Sequence, residues 1–127
     1  MDLTPLVPAG RQIVESYGGG GFRVSGVAFQ GSILVFPDRT VPWPVSTPDS
    51  FTIDCLEAIE QAGRAQQVDV LLLGCGARAA MVPGDLRARL RAAGVVVEAM
   101  DTGAACRTYN VLMPEGRRVA AALIALP

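Results

Sequence analysis

Hydrophobic positions along the chain fall into short dense blocks separated by glycine, proline and charged residues. "FRVSGVAF" (residues 22–29) and "SILVF" (32–36) have strand-like lengths, with Gln30-Gly31 between them. Glycine at the second loop position suits a tight turn that needs positive φ, so the two blocks are expected to form a hairpin. "VDVLLLG" (68–74), "VVVEAM" (95–100) and "RVAAALIAL" (118–126) are almost wholly apolar, as strands are when both faces are covered. Between these runs the spacing becomes helical. Ile53, Leu56 and Ile59 share one face behind a Thr52 cap, with Glu57 and Glu60 turned outward. Leu86 and Leu90 form the stripe of a second helix from about Pro83 to Ala93, with Arg87 and Arg91 opposite and Gly94 as its stop. A third helix is expected from Ala104 to about Met113.

The order is therefore hairpin, loop, helix, strand, helix, strand, helix, strand. Strands alternating with helices imply parallel pairing through right-handed crossovers. The expected fold is a single three-layer α/β domain with a mixed, mainly parallel central sheet and an N-terminal β-hairpin. Residues 1–21 read as a partly flexible N-terminal extension, because Gly18 to Gly21 is an unbroken glycine run, and residues 22–127 as the domain. In "PDRTVPWPVSTPD" (37–49) four prolines surround Trp43, which predicts a non-regular loop folded onto the body by its tryptophan.

Composition adds three constraints. The 127 residues suffice for a core without staples, and 50% are hydrophobic against 18% charged. A mean hydropathy of +0.36 predicts an exposed apolar patch that meets a protein partner or a second copy of the chain. The formal net charge of −1 argues against broad attraction to nucleic acid or anionic lipid. All 11 basic residues are arginine, a skew that fits GC-rich bacterial coding and gives no support to phosphate recognition. No apolar stretch approaches the roughly 20 residues of a membrane span. Membrane association would be peripheral and through a partner. The N-terminus lacks the basic start and apolar core of a secretory signal. Cys55, Cys75 and Cys106 are odd in number and widely spaced, so reduced thiols in the cytoplasm are expected.

Candidate chemistry concentrates in two loops, "GCGARA" after residues 70–73 and "DTGAACR" after residues 95–99. If the two strands are parallel, both loops leave from their C-terminal rim, where open α/β sheets place ligand crevices. Gly74, Cys75, Gly76, Asp101, Thr102, Arg107 and Asn110 are the candidate ligand-binding residues. Gly74-Cys75-Gly76 lacks the third glycine and the acidic residue of a dinucleotide fingerprint, and glycines also release a chain from a crowded strand end. Asp101 or Thr102 can cap the helix that follows, and the same amides can hold an anion. Arg107 can pair with Asp101, with Glu115, or with a bound carboxylate or phosphate. Asn110, a local misfit inside a helix, is expected to hydrogen-bond a neighbouring segment. Cys106 is the sole candidate nucleophile. A first helical turn and the adjacent Arg107 both favour a thiolate. The chain has no histidine, however, which removes Cys–His pairing and the Ser–His–Asp triad. Packing as a small apolar residue, in register with Asn110 and Met113, is the competing reading. No catalytic residue is assigned, and no cofactor or metal is expected, since neither CxxC nor clustered carboxylates occur.

"GGFRVSG", "GSILVFP", "WPV", "LLLGCG" and "VEAMDTGAACRTYNVLMPEGRRVAAALI" resemble the Mth-domain family of unknown biochemical function. That family includes the mitochondrial complex I assembly factor and the adipogenesis-associated Mth-domain protein. The likeness runs from about Phe22 onward and is most specific over Met100 to Val119. It implies a three-layer α/β fold with a mixed sheet and no established mechanism, cofactor or substrate. The cysteine in "DTGAACRTYN" is similar to the assembly-factor branch, whereas the other branch does not carry it in the same way. Two functions follow as expectations. One is a non-enzymatic interaction or assembly factor, for a complex such as respiratory complex I. The other is a small-molecule or anion-binding domain, or an enzyme using the Cys106 turn.

Overall fold

A computed structural model describes residues 10–52 and 54–127 of the chain. Among the described residues there are eight strands and three α-helices. In chain order they are β1 (Val14–Gly18), β2 (Gly21–Val24), β3 (Val27–Gln30), β4 (Ile33–Phe36), β5 (Arg39–Pro42), α1 (Glu57–Arg64), β6 (Val70–Gly74), α2 (Gly84–Ala92), β7 (Val96–Met100), α3 (Thr102–Leu112) and β8 (Val119–Leu123). They make a mixed α/β fold with two sheets, a three-stranded β1-β2-β3 and a five-stranded β5-β4-β8-β6-β7. No helix among the described residues is long and apolar enough to cross a membrane.

The N-terminal hairpin differs from expectation. Its turn is Ser25-Gly26, where φ is +45° and +86°, the double positive φ of a two-residue hairpin loop. Thus "FRVSGVAF" is itself a complete hairpin, β2 paired with β3, and Gln30-Gly31 leads out of it. β4 belongs to the larger sheet, because all four of its side chains are buried and need cover on both faces. It pairs antiparallel with β5, which forms inside the segment read as a non-regular loop, and antiparallel with β8. Residues of the expected N-terminal extension form β1, joined to β2 through Gly18, Gly19 and Gly20, all at positive φ.

β6 pairs parallel with both β7 and β8, placing Leu73 opposite Ala99 and Ala122. The central sheet therefore has two parallel and two antiparallel pairings; it is mixed and not mainly parallel. β7 is its edge, with Val96 and Glu98 exposed, so "VVVEAM" is covered along one face and only at Met100 on the other.

Alternating side chains of the sheet feed two separate cores. Leu34, Phe36, Leu71, Leu73, Ala120 and Ala122 pack with Ile59 of α1 and with Leu86 and Leu90 of α2. Ile33, Val35, Leu72, Val119, Ala121 and Leu123 pack with Ala105 and Tyr109 of α3 and with Phe22 and Val24 of the smaller sheet. β8 is buried at every position. Among the described residues the exposed large apolar ones, Tyr17, Val27, Met81, Val96 and Val111, lie on five different segments.

Helix details also shift. α1 begins at Glu57 with Leu56 as its cap residue; Thr52 uses its carbonyl to close a turn onto the Cys55 amide. Ile53 lies outside the described residues. Glu60 does not face solvent. α2 packs alongside α1, and Arg89 reaches across with Nε 2.6 Å from Glu60 Oε2 and Nη1 2.8 Å from Asp54 Oδ1. The "RARLR" face is therefore committed in part, since Arg87 also donates to the Val97 carbonyl. α3 begins two residues earlier than expected, at Thr102. Trp43 is buried as predicted, its indole N–H donating to the Cys55 carbonyl and its ring stacked with Phe51.

Candidate functional site

The parallel pairing of β6 with β7 brings both candidate loops to one rim. What they build there is a joint. Gly74 ends β6 against the start of α3, where an added Cβ would lie 2.9 Å from Thr102 Cα. Gly76 turns the chain at φ +97°. Thr102 is fully buried, and its hydroxyl oxygen accepts the Gly76 amide at 2.9 Å while its proton goes to the Ile124 carbonyl at 2.7 Å. The Thr102 amide donates back to the Gly76 carbonyl at 2.8 Å. One side chain thus ties the ends of β6 and β8 to the first turn of α3. The Cys75 thiol is buried and faces the opposite core, and burial pushes its pKa up.

The helix start is occupied from within. Asp101 Oδ1 accepts the Ala104 amide at 2.8 Å and the Asp101 carbonyl accepts the Ala105 amide at 3.0 Å. A carboxylate at this point satisfies free amides and complements the helix dipole, leaving an external anion opposed by a fixed negative charge. β1 covers what remains. A Cβ added at Gly103 would lie 2.7 Å from the Tyr17 hydroxyl, which accepts a hydrogen bond from Arg107 Nη1 at 3.0 Å. Arg107 is thereby directed to Tyr17, and no ion pair joins it to Asp101 or Glu115 among the described residues.

Cys106 is only 2% exposed, in the core beneath α3 with Tyr109 and Met113. Burial pushes its thiol up to about 12; the opposing pull of the Arg107 charge is smaller. At neutral pH the sulfur is protonated and enclosed, the reverse of an activated nucleophile. Asn110 points to β1. Its Oδ1 accepts the Val14 amide at 3.0 Å and its Nδ2 donates to the Val14 carbonyl at 2.7 Å. A side-chain amide here pairs like a strand neighbour and staples the smaller sheet to α3. Gly74, Gly76, Thr102 and Ile124 are thus brought together, while Cys106, Arg107 and Asn110 diverge to the core, to Tyr17 and to β1.

One of the molecule's concavities lies at the opposite rim. A cavity of about 330 Å³ opens near the N-terminal ends of β6 and β8, with Arg11, Arg39, Arg117 and Arg118 around it. Sequence reasoning missed these residues because Arg11 and Arg39 lie far along the chain from the Arg117-Arg118 pair. The one local signal was that doublet after Gly116, which takes φ +80°.

Comparison with known proteins agrees with this architecture. An uncharacterised protein of Rhodobacter capsulatus is 41% identical over 127 residues, covering 98% of this chain and 95% of that one. Proteins named NADH dehydrogenase [ubiquinone] 1 alpha subcomplex assembly factor 3 are 33% identical in Danio rerio and 30% in Homo sapiens. This chain matches them over 91% and 90% of its own length but spans only 65% and 61% of theirs. A solved Bordetella pertussis protein described as a Mth938-like domain superposes with TM-score 0.83 at 34% identity, covering 98% of this chain and 92% of that one. A Bartonella henselae structure described as an outer membrane protein gives TM-score 0.82 at 36% identity, covering 93% and 98%. Residues 14–124 match the family described as protein of unknown function (DUF498/DUF598), and the chain belongs to that family.

Proposed function

We propose that this protein is a non-enzymatic interaction module that acts in the cytoplasm in the assembly of a larger protein complex, of the kind represented by respiratory complex I. The observation that carries this reading is the Thr102 joint. The rim at which an α/β sheet ordinarily binds small molecules is closed by Thr102, Gly76 and Ile124, and its thiol is buried and protonated. A function borne by the outer surface fits such a molecule better than one borne by that crevice. The names carried by the animal relatives support complex assembly as the process.

The test is genetic and biochemical together. Deleting the gene in the organism that encodes it should reduce fully assembled NADH dehydrogenase on native gels, and the chain should co-purify with a subunit or subcomplex. Cys106→Ala and Arg107→Ala should each restore assembly as well as the unaltered chain. Normal assembly without the gene, or failure of Cys106→Ala to rescue while it folds normally, would sink the proposal. Light scattering on the isolated chain separates a self-association that is its sole contact from a requirement for a different partner.

A further inference from the structure

The cavity at the N-terminal rim has an unusual charge balance. Four of the chain's 11 arginines surround it, and among the described residues Asp38 is the one carboxylate in its lining. Two of the four are braced by their neighbours. Arg39 lies 4.0 Å above the Phe36 ring and 3.1 Å from Asp38, which offsets that carboxylate. Arg118 donates to Asp69 Oδ2 at 3.0 Å and to the Gln66 carbonyl at 2.8 Å. The guanidinium groups of Arg11 and Arg117 have no hydrogen-bond or ion-pair partner among the described residues. Two permanently charged groups with no such partner among the described residues therefore border one half-open concavity whose described lining is positive overall, in a chain whose net charge is −1.

The walls that present them are fixed by backbone bonding. The Gln12 amide donates to the Pro37 carbonyl at 2.9 Å, and the Gln12 carbonyl accepts the Tyr109 hydroxyl at 3.0 Å. The Thr40 hydroxyl donates to Gln12 Oε1 at 2.7 Å. Arg11 is carried into the cavity by this anchored residue. Arg117 follows Gly116, whose left-handed φ of +80° turns the chain after α3, a conformation glycine adopts without strain. Phe36, Pro37 and Met113 supply the apolar part of the lining. Guanidinium groups match the oxygens of a phosphate in paired hydrogen bonds, and two of them balance a dianion. A volume of about 330 Å³ suits a small ligand and is too confined for a folded partner.

We infer that this cavity is a binding site for a small organic phosphate monoester, its dianionic head between Arg11 and Arg117 and its apolar body against Pro37, the apolar lining residue that is not buried. The site is independent of the assembly role, and it lies at the far end of the sheet from the Cys106 turn.

The experiment is an amide-resolved NMR titration of the whole chain with phenyl phosphate, repeated with inorganic phosphate, benzoate and phenol. Phenyl phosphate should give saturable shifts confined to residues 11–12, 36–40 and 113–118, weakening as salt is added. Inorganic phosphate should bind several-fold more weakly, for want of the apolar contact, and benzoate more weakly for want of the second charge. Phenol should not saturate. The Arg11→Ala/Arg117→Ala double variant removes only exposed side chains with no partner among the described residues and should fold normally, with affinity reduced at least tenfold. Unsaturable or dispersed shifts, or a double variant that binds as well as the parent, would overturn the site. Inorganic phosphate binding as tightly as phenyl phosphate would overturn the role of the apolar wall, and benzoate doing so would overturn the dianion preference. A phosphotyrosine peptide binding no tighter than phenyl phosphate supports a small-molecule site, and one binding more than tenfold tighter would overturn it.

Discussion

Replacing Thr102 with valine keeps the shape of the side chain and deletes its hydroxyl. In the native protein that oxygen accepts the Gly76 amide at 2.9 Å and donates to the Ile124 carbonyl at 2.7 Å, at a residue with no exposed surface. The variant leaves a donor and an acceptor facing a methyl group. A buried polar group without a partner costs about 1–3 kcal/mol, so the pair should cost about 2–6 kcal/mol. Thr102→Ser keeps both hydrogen bonds and removes one methyl, which should cost about 1 kcal/mol through the small void it opens. The order of stability should therefore be native, serine, valine. Urea unfolding measures it, with the m-value held constant as the check that the transition is two-state. Hydrogen exchange at the Gly76 amide should quicken in the valine variant and stay slow in the serine variant. A valine variant within about 0.5 kcal/mol of native, with Gly76 exchange unchanged, would refute the reasoning and reopen the rim to ligands.

Two further consequences concern the packing of α3 on β1 and of α2 on α1. Asn110→Ala removes both hydrogen bonds to Val14 and should loosen β1, costing about 1–3 kcal/mol and exposing residues 14–18 to limited proteolysis; unchanged cleavage there would show that Asn110 does not hold the strand. Glu60 has its carboxyl held below the ordinary value of 4.5, chiefly by its hydrogen bond from Arg89. A lowered folded pKa gives stability that is complete above pH 4.5 and is lost as the pH falls through the lowered value. Native protein should therefore lose stability more steeply than Glu60→Gln in that acid range; parallel urea midpoints for the two proteins would contradict the linkage.

What could be read along the chain followed from how uniformly each segment is buried. β6 is apolar because both of its faces are covered, and that same property made its parallel pairing with β7 visible beforehand. The hairpin was misplaced because two glycine dipeptides, Ser25-Gly26 and Gln30-Gly31, both have positive φ at glycine, and local turn chemistry does not choose between them. The choice is made by β4, whose four buried side chains need the large sheet. β1 was not recognisable because only Val14 of its five residues is buried; a long-range clasp from Asn110 holds it. Asp101 as a helix cap was legible, since capping is local. The closing of the rim was not. It depends on Ile124 and Tyr17, which arrive from opposite ends of the chain, and on a burial that outweighs the arginine beside Cys106.

The most direct measurement is the alkylation rate of each cysteine by iodoacetamide in the native chain at pH 7.5, followed site by site by mass spectrometry. Cys55 is half-buried and serves as the internal reference; Cys75 and Cys106 are buried. With its thiol pushed up to about 12, Cys106 should label far more slowly than Cys55 and reach the free-thiol rate only after unfolding. Labelling of Cys106 in the folded protein at or above the rate of a free thiol would contradict the closed rim and return the turn to the list of active sites.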